Sequence, residues 1–179
     1  MVWVVRKIKR SVWLEKEDLG RDAIGASAVT GDLRCKNNAL SLWVCEDPSN
    51  SDELEKVVLA LGSLYNSLEI MDLAWFSKED IESAGVAVKK TPGGSHVQSV
   101  NDLHVDAVRL DLCRLNILAK KIAEAVRKKS HTERINEKRL LRILAAADGR
   151  LPLGLLKEDQ TKLRKAIEEV LAKDNSDAP

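Results

Sequence analysis

Residues 106–129 read DAVRLDLCRLNILAKKIAEAVRKK, and within them Val108, Leu112, Leu115, Ala119, Ile122 and Val126 recur at alternating spacings of four and three. At about 100° per residue these six positions stay within roughly 40° of a common line, which is the pattern of a helix with one continuously apolar face. Such a helix must lie against another layer, and this requirement constrains the rest of the chain. Asp106 stands where an N-cap is wanted, and Arg127, Lys128 and Lys129 stand where the helix dipole favours positive charge. Leu110 and Ile117 fall on the back of the first half, whereas the back of the second half is Lys120, Lys121, Glu124 and Lys128. The pattern therefore predicts a first half wrapped on most sides and a second half that emerges into water or onto a partner.

The layer that receives this helix is to be sought upstream. Residues 2–8 are rich in β-branched side chains and begin apolar on both faces, as a strand inside a sheet does. Trp13-Leu14 allow a second short strand, and residues 18–34 allow a short helix weakened by Gly20, Gly25 and Gly31. Residues 39–45, ALSLWVC, alternate as a strand, and DPSNSDE then opens a helix capped by Ser49 or Ser51. Further strands are expected at 68–76, 86–90 and 96–105, with a short helix between the first two, capped by Ser77 and Asp80. After the central helix, segments at about 133–147 and 157–172 carry helical periodicity. They are separated by Gly149, Pro152 and Gly154, and the second has Glu158 and Lys162 at an i,i+4 spacing. The fold class expected is α+β: a mixed sheet of about five strands with two or three helices over residues 1–105, followed by a three-helix part over residues 106–179.

Composition narrows the biology. With 44% hydrophobic and 32% charged residues, the 179-residue chain has the make-up of a globular domain, not of a disordered one. No window approaches the length and apolarity of a membrane span, the start MVWVVRKIKR reverses the order of a signal peptide, and the three cysteines Cys35, Cys45 and Cys113 form no metal-knuckle spacing. The chain therefore reads as cytoplasmic, with reduced and largely buried thiols, no membrane partner, no metal and no cofactor. A net charge of +1 conceals segregation. Residues 46–82 carry ten acidic and two basic side chains, a net −8, and residues 109–142 carry eleven basic and four acidic, a net +7. The two stretches either neutralise each other or leave a charged face for a partner.

Chemistry-bearing groups are sparse. Asp102, His104 and Asp106 alternate as they would on one face of a strand, the one arrangement suited to a metal or a histidine–carboxylate pair, with Asp72 or Glu69 as a further group. Cys113 reads as a small core residue, and Cys35, between Arg34 and Lys36, has surroundings that depress a thiol pKa. Thr91-Pro-Gly-Gly-Ser resembles a turn more than a phosphate cradle, because no GK[ST] follows. Arg109, Lys120, Arg127, Lys138, Arg139 and Arg142 form a basic run suited to unspecific contact with phosphates, but residues 77–179 contain no aromatic residue for base stacking.

These features order three functional expectations. The first is a non-catalytic protein–protein interaction subunit, of accessory, antitoxin-like or immunity-like type, that docks another protein or a second copy through its C-terminal helices, with Ile122, Val126, Lys121 and Lys128 at the contact. The second is a weak nucleic-acid binder using the basic run. The third is a hydrolase or metal-dependent enzyme built on Asp102, His104 and Asp106.

Overall fold

The computed structural model describes residues 1–14, 23–147, 151, 153 and 160–176, the last four of these by backbone alone. Six strands make one sheet: β1 Trp3–Ile8, β2 Leu40–Cys45, β3 Met71–Ser77, β4 Ala87–Lys90, β5 His104–Val108 and β6 Thr132–Ile135. Their order is β4-β5-β2-β1-β3-β6 and every pairing is antiparallel. Helices α1 Arg10–Leu14, α2 Ala26–Asp32, α4 Lys78–Ser83 and α5 Leu112–Arg127 belong to one face. Helices α3 Ser51–Gly62, α6 Glu137–Ala146 and α7 Thr161–Ser176 belong to the other, together with a 3-10 turn at Gln98–Leu103. The α+β class expected from the sequence is the class observed.

Covering both faces explains the strand composition. In β1, Val5 joins the core beneath α3 and α6 while Val4 and Ile8 join the core beneath α5, so a strand apolar on both phases becomes central. In β2 the same alternation sends Trp43 and Cys45 to the first core and Leu40 and Leu42 to the second. All seven residues of β3 are buried. Its charged member Asp72 is held by Arg134 of β6 through two bonds of 2.7 and 3.0 Å, as a carboxylate removed from water requires.

Several expectations are corrected in detail. Trp13 and Leu14 lie in α1, where the Trp13 indole N–H donates to Asp32 Oδ2 at 2.6 Å. The cap of α3 is Asn50, whose side chain accepts from Asp52 N, so Ser51 is already inside the helix. Ser77 does cap α4, by accepting from Asp80 N. The start of the helix expected at 133–147 is instead β6, a four-residue edge strand that pairs Met71–Ala74 of β3 with Thr132–Ile135. So short a strand carries no period of its own to read. The division at residues 105/106 falls within β5, and β6 comes from the C-terminal part of the chain. The stop at Gly149, the break at Pro152 and Gly154, the Glu158–Lys162 pair and the first residues of the segments expected at 18–34 and 157–172 lie outside the described residues.

The central helix is oriented opposite to expectation. Its N-cap is Asp111, which accepts from Arg114 N at 2.8 Å, whereas Asp106 belongs to β5. Leu112 is 84% exposed, Cys113 is exposed and Leu115 is only half-buried, while Leu118, Ala119, Ile122, Ala123, Ala125 and Val126 are all buried. Ile122, at 0% exposure, and Val126, at 2%, are thus core residues and not a docking surface. Packing sets this order: Leu118, Ala119, Ile122, Ala123, Ala125 and Val126 share a core with Ala74 and Phe76 of β3, Leu115 and Ile117 pack at its margin, and Leu112 stays outside it. On the other face Gly62 plays the matching role, since a Cβ there would stand 2.7 Å from Leu140 Cδ1 of α6.

Chemical denaturation checks this orientation. Ile122→Ala is expected to cost about 2–5 kcal/mol and Ile122→Asp more, because the carboxylate would be buried without a partner. Leu112→Ala is expected to stay within about 0.5 kcal/mol of the parent. Equal losses at residues 112 and 122 would overturn the assignment.

Candidate functional site

Strands β2 and β5 are neighbours, with Ser41 opposite Asp106 and Trp43 opposite His104. Paired residues share a face, so all four side chains lie on the side covered by α3 and the 3-10 turn. Thr91, the residue after β4, turns onto the same face. Its Oγ1 lies 2.9 Å from His104 Nδ1 and donates to Asp106 Oδ2 at 2.8 Å. Ser41 Oγ is hydrogen-bonded to His104 Nε2.

The donor inventory gives this chain of bonds a direction. Because the Thr91 proton goes to a carboxylate, which only accepts, Thr91 Oγ1 is left to accept from His104 Nδ1–H. Nε2 then carries the lone pair and accepts from Ser41 Oγ–H. The ring itself is held: His104 is 8% exposed and meets Trp43 edge to face, with centroids 5.0 Å apart. Ser41, Thr91 and Asp106 are half-buried. The result is a hydroxyl whose proton points at an imidazole oriented, through a second hydroxyl, by a carboxylate.

The TPGGS segment positions Thr91. Asn101 gathers the loop, accepting at Oδ1 from Ser95 N (2.9 Å), donating from Nδ2 to Ser95 O (3.0 Å) and accepting at its carbonyl from Gly93 N (3.2 Å). His96 N donates to Ser63 Oγ at the end of α3, and Val97 N to Ser95 Oγ. These N–H groups are consumed inside the fold, which removes the phosphate-cradle reading. Gly93 is required by proximity: a Cβ would stand 2.6 Å from Asn101 Oδ1 and 3.0 Å from Asn101 Cα, an atom of the backbone.

Of the three groups singled out in the sequence, His104 and Asp106 come together and Asp102 does not. Asp102 lies in the 3-10 turn with its side chain 90% exposed, 3.4 Å from Lys90 Nζ. Asp72 is on β3, separated from β5 by two strands and on the opposite face, and Glu69 is exposed. No group of three or more His, Cys, Asp or Glu side chains able to hold a metal ion occurs among the described residues. Ser41 and Thr91 are the members that sequence reasoning missed. The alternation of ALSLWVC placed Ser41 in phase with Trp43, but nothing in the sequence puts Thr91 beside residues 104 and 106.

The thiols differ from expectation as well. Cys113 is exposed on the first turn of α5 and is not a core residue. Cys45 is buried, and burial pushes its thiol up to about 11. Burial also raises Cys35, with Arg6 opposing it only in part, so the electropositive neighbours Arg34 and Lys36 do not yield a depressed thiol.

A second feature lies at the outer end of α5. Ile24, Val29, Leu112, Leu115 and Ala119 line a mainly apolar groove of about 330 Å³, with Asn116 and Lys120 as the polar members of its lining. Lys120 makes no ion pair among the described residues. The other contact residues expected from the sequence, Lys121 and Lys128, line a separate cleft with Trp3 and His131, and Lys121 is engaged by Asp80 at 3.1 Å.

The six residues of the basic run are divided by the sheet. Lys120 and Arg127 are on α5, and Arg109 is in the β5–α5 connection, whereas Lys138, Arg139 and Arg142 are on α6, across the sheet. Part of the charge is matched by the acidic stretch: Lys121 meets Asp80, Arg134 meets Asp72, and Arg139 meets Glu55 at 3.4 Å as well as Glu133 at 2.7 Å. No helix among the described residues is long and apolar enough to cross a membrane. Compared with known proteins, the chain matches no family model, no curated protein and no solved structure.

Gly93→Ala tests how the loop is held. Its Cβ meets backbone that cannot swing aside, so the substitution is expected to cost about 1–3 kcal/mol. Amide exchange at residues 91–97 should rise while that of β1 and β3 stays as in the parent. Unchanged exchange in the loop would count against the Asn101 clasp.

Proposed function

We propose that this chain is a protein–protein interaction subunit that docks a partner polypeptide at the outer end of α5. The observation that carries the reading is the groove beside Leu112. A leucine left 84% exposed at the mouth of an apolar recess is costly to keep in water, and one or two aliphatic or aromatic side chains of a partner would fill a recess of this size. Lys120 in the lining, without an ion pair among the described residues, favours a partner with a carboxylate beside its apolar anchor. The docking surface moves accordingly, from Ile122 and Val126 to Leu112 and Leu115 on the same helix. Nucleic acid draws less support, since the basic residues face two sides of the molecule and Lys121, Arg134 and Arg139 are matched by carboxylates.

Leu112→Asp tests the proposal without threatening the core. The variant is expected to melt with the parent, while assembly detected by light scattering across a concentration series, or by quantitative co-purification, falls by tenfold or more. If parent and variant give the same assemblies, or both stay monomeric and enrich no common protein, the proposal fails.

A further inference from the structure

We propose that Ser41, His104, Thr91 and Asp106 form a catalytic relay for acyl transfer to water, with Ser41 as nucleophile and an anionic carboxylic ester as substrate. The inference stands apart from the docking reading and shares no residue with it. Its basis is the directed chain of bonds: Ser41 Oγ–H to His104 Nε2, His104 Nδ1–H to Thr91 Oγ1, and Thr91 Oγ1–H to Asp106 Oδ2. A purely structural pairing of two strands needs no such order, whereas a general base needs a free lone pair facing the nucleophile and a fixed proton on its far nitrogen.

Ser41 Oγ attacks the ester carbonyl carbon as its proton passes to His104 Nε2, and the carbonyl π pair moves onto oxygen. The adduct collapses, the bond to the alkoxy group breaks, and Nε2–H protonates the leaving alkoxide. Water then attacks acyl-Ser41, gives its proton to Nε2 and releases the carboxylic acid, after which the proton returns to Ser41. While the imidazole is cationic, its Nδ1–H remains on Thr91, and Thr91 remains on the Asp106 carboxylate. Thr91 and Asp106 are therefore positioning residues.

The substrate class follows from the row of side chains across the sheet. Lys89 is directly opposite Asp106 on β4, and Lys7 lies two residues beyond Val5, which pairs with Trp43, so Lys7 is in the row of Ser41. Lys7 Nζ sits 4.0 Å over the Tyr65 ring, and burial lowers its pKa. Neither ammonium has an ion pair among the described residues, the carboxylates of Glu69 and Asp32 acting on Lys7 only from beyond contact distance, so two cations flank the nucleophile on the same sheet face. An acyl group bearing a carboxylate is suited to this row.

The full chain is treated with a fluorophosphonate, from which Ser41 Oγ would displace fluoride at phosphorus, and the adduct is located by peptide mapping. Labelling at Ser41 is expected in the native protein and is expected to be lost on unfolding and in Ser41→Ala. His104→Gln should lower the labelling rate at least 100-fold, and Thr91→Val about tenfold. Thr91→Ser, which keeps the hydroxyl, should restore the rate, a recovery that packing alone does not produce. Hydrolysis of p-nitrophenyl hemisuccinate should exceed that of p-nitrophenyl acetate, with the preference reduced in Lys89→Ala. Absence of a Ser41 adduct in protein whose melting is normal overturns the relay. Labelling with equal rates on the two esters overturns only the anionic substrate class.

Discussion

Burial of the sheet on both faces is the constraint on which the rest of this structure depends. An antiparallel sheet with one wet face tolerates polar residues at every second position, but here α5 covers one side and α3, α6 and α7 the other. Each central strand must then be apolar on both phases, and each polar side chain within the sheet must find a partner. Asp72 finds Arg134, and Arg6, lowered in pKa by burial, donates to the carbonyls of Asp32 and Ser41. Ser41 is satisfied by His104, and His104 and Asp106 are joined through Thr91.

The same constraint locates the unusual chemistry. A histidine, a serine and a carboxylate on adjacent strands would be hydrated and mobile on an open face. Under the 3-10 turn and the loop from Thr91 to Val97 they are removed from most water, and the imidazole is fixed between Trp43 and two hydroxyls. The loop is itself held by Asn101 and by Ser63 at the end of α3, so the positions of the four groups depend on helix packing some distance away.

Charge and apolar surface are divided by the same architecture. The acidic and basic stretches of the sequence meet in ion pairs at Asp72, Asp80 and Glu55, and pairs at the surface contribute only about 0–1 kcal/mol each. Their effect is more on which surface remains charged than on stability. Among the described residues, the first turn of α5 is the place where an exposed leucine, Leu112, borders an apolar groove.

Periodicity alone determined a good deal. The strands at residues 2–8 and 39–45, the helix after DPSNSDE, the Ser77 cap and the amphipathic helix before residue 129 all follow from alternation, 3.6-residue spacing and capping chemistry, which act within a few residues of sequence. His104 and Asp106 were legible as a pair for the same reason, two residues apart on one strand. Tertiary structure decided the rest. It decided which end of the central helix is buried, because the stripe from Leu112 to Val126 is continuous and only contact with β3 distinguishes its ends. It made residues 132–135 a strand, because four residues become one only when β3 offers its edge. Asp102 was excluded and Thr91 admitted to the polar chain because hydrogen bonds join groups by distance in space, and the turn between β4 and β5 brings Thr91 to within 2.9 Å of a histidine thirteen residues away.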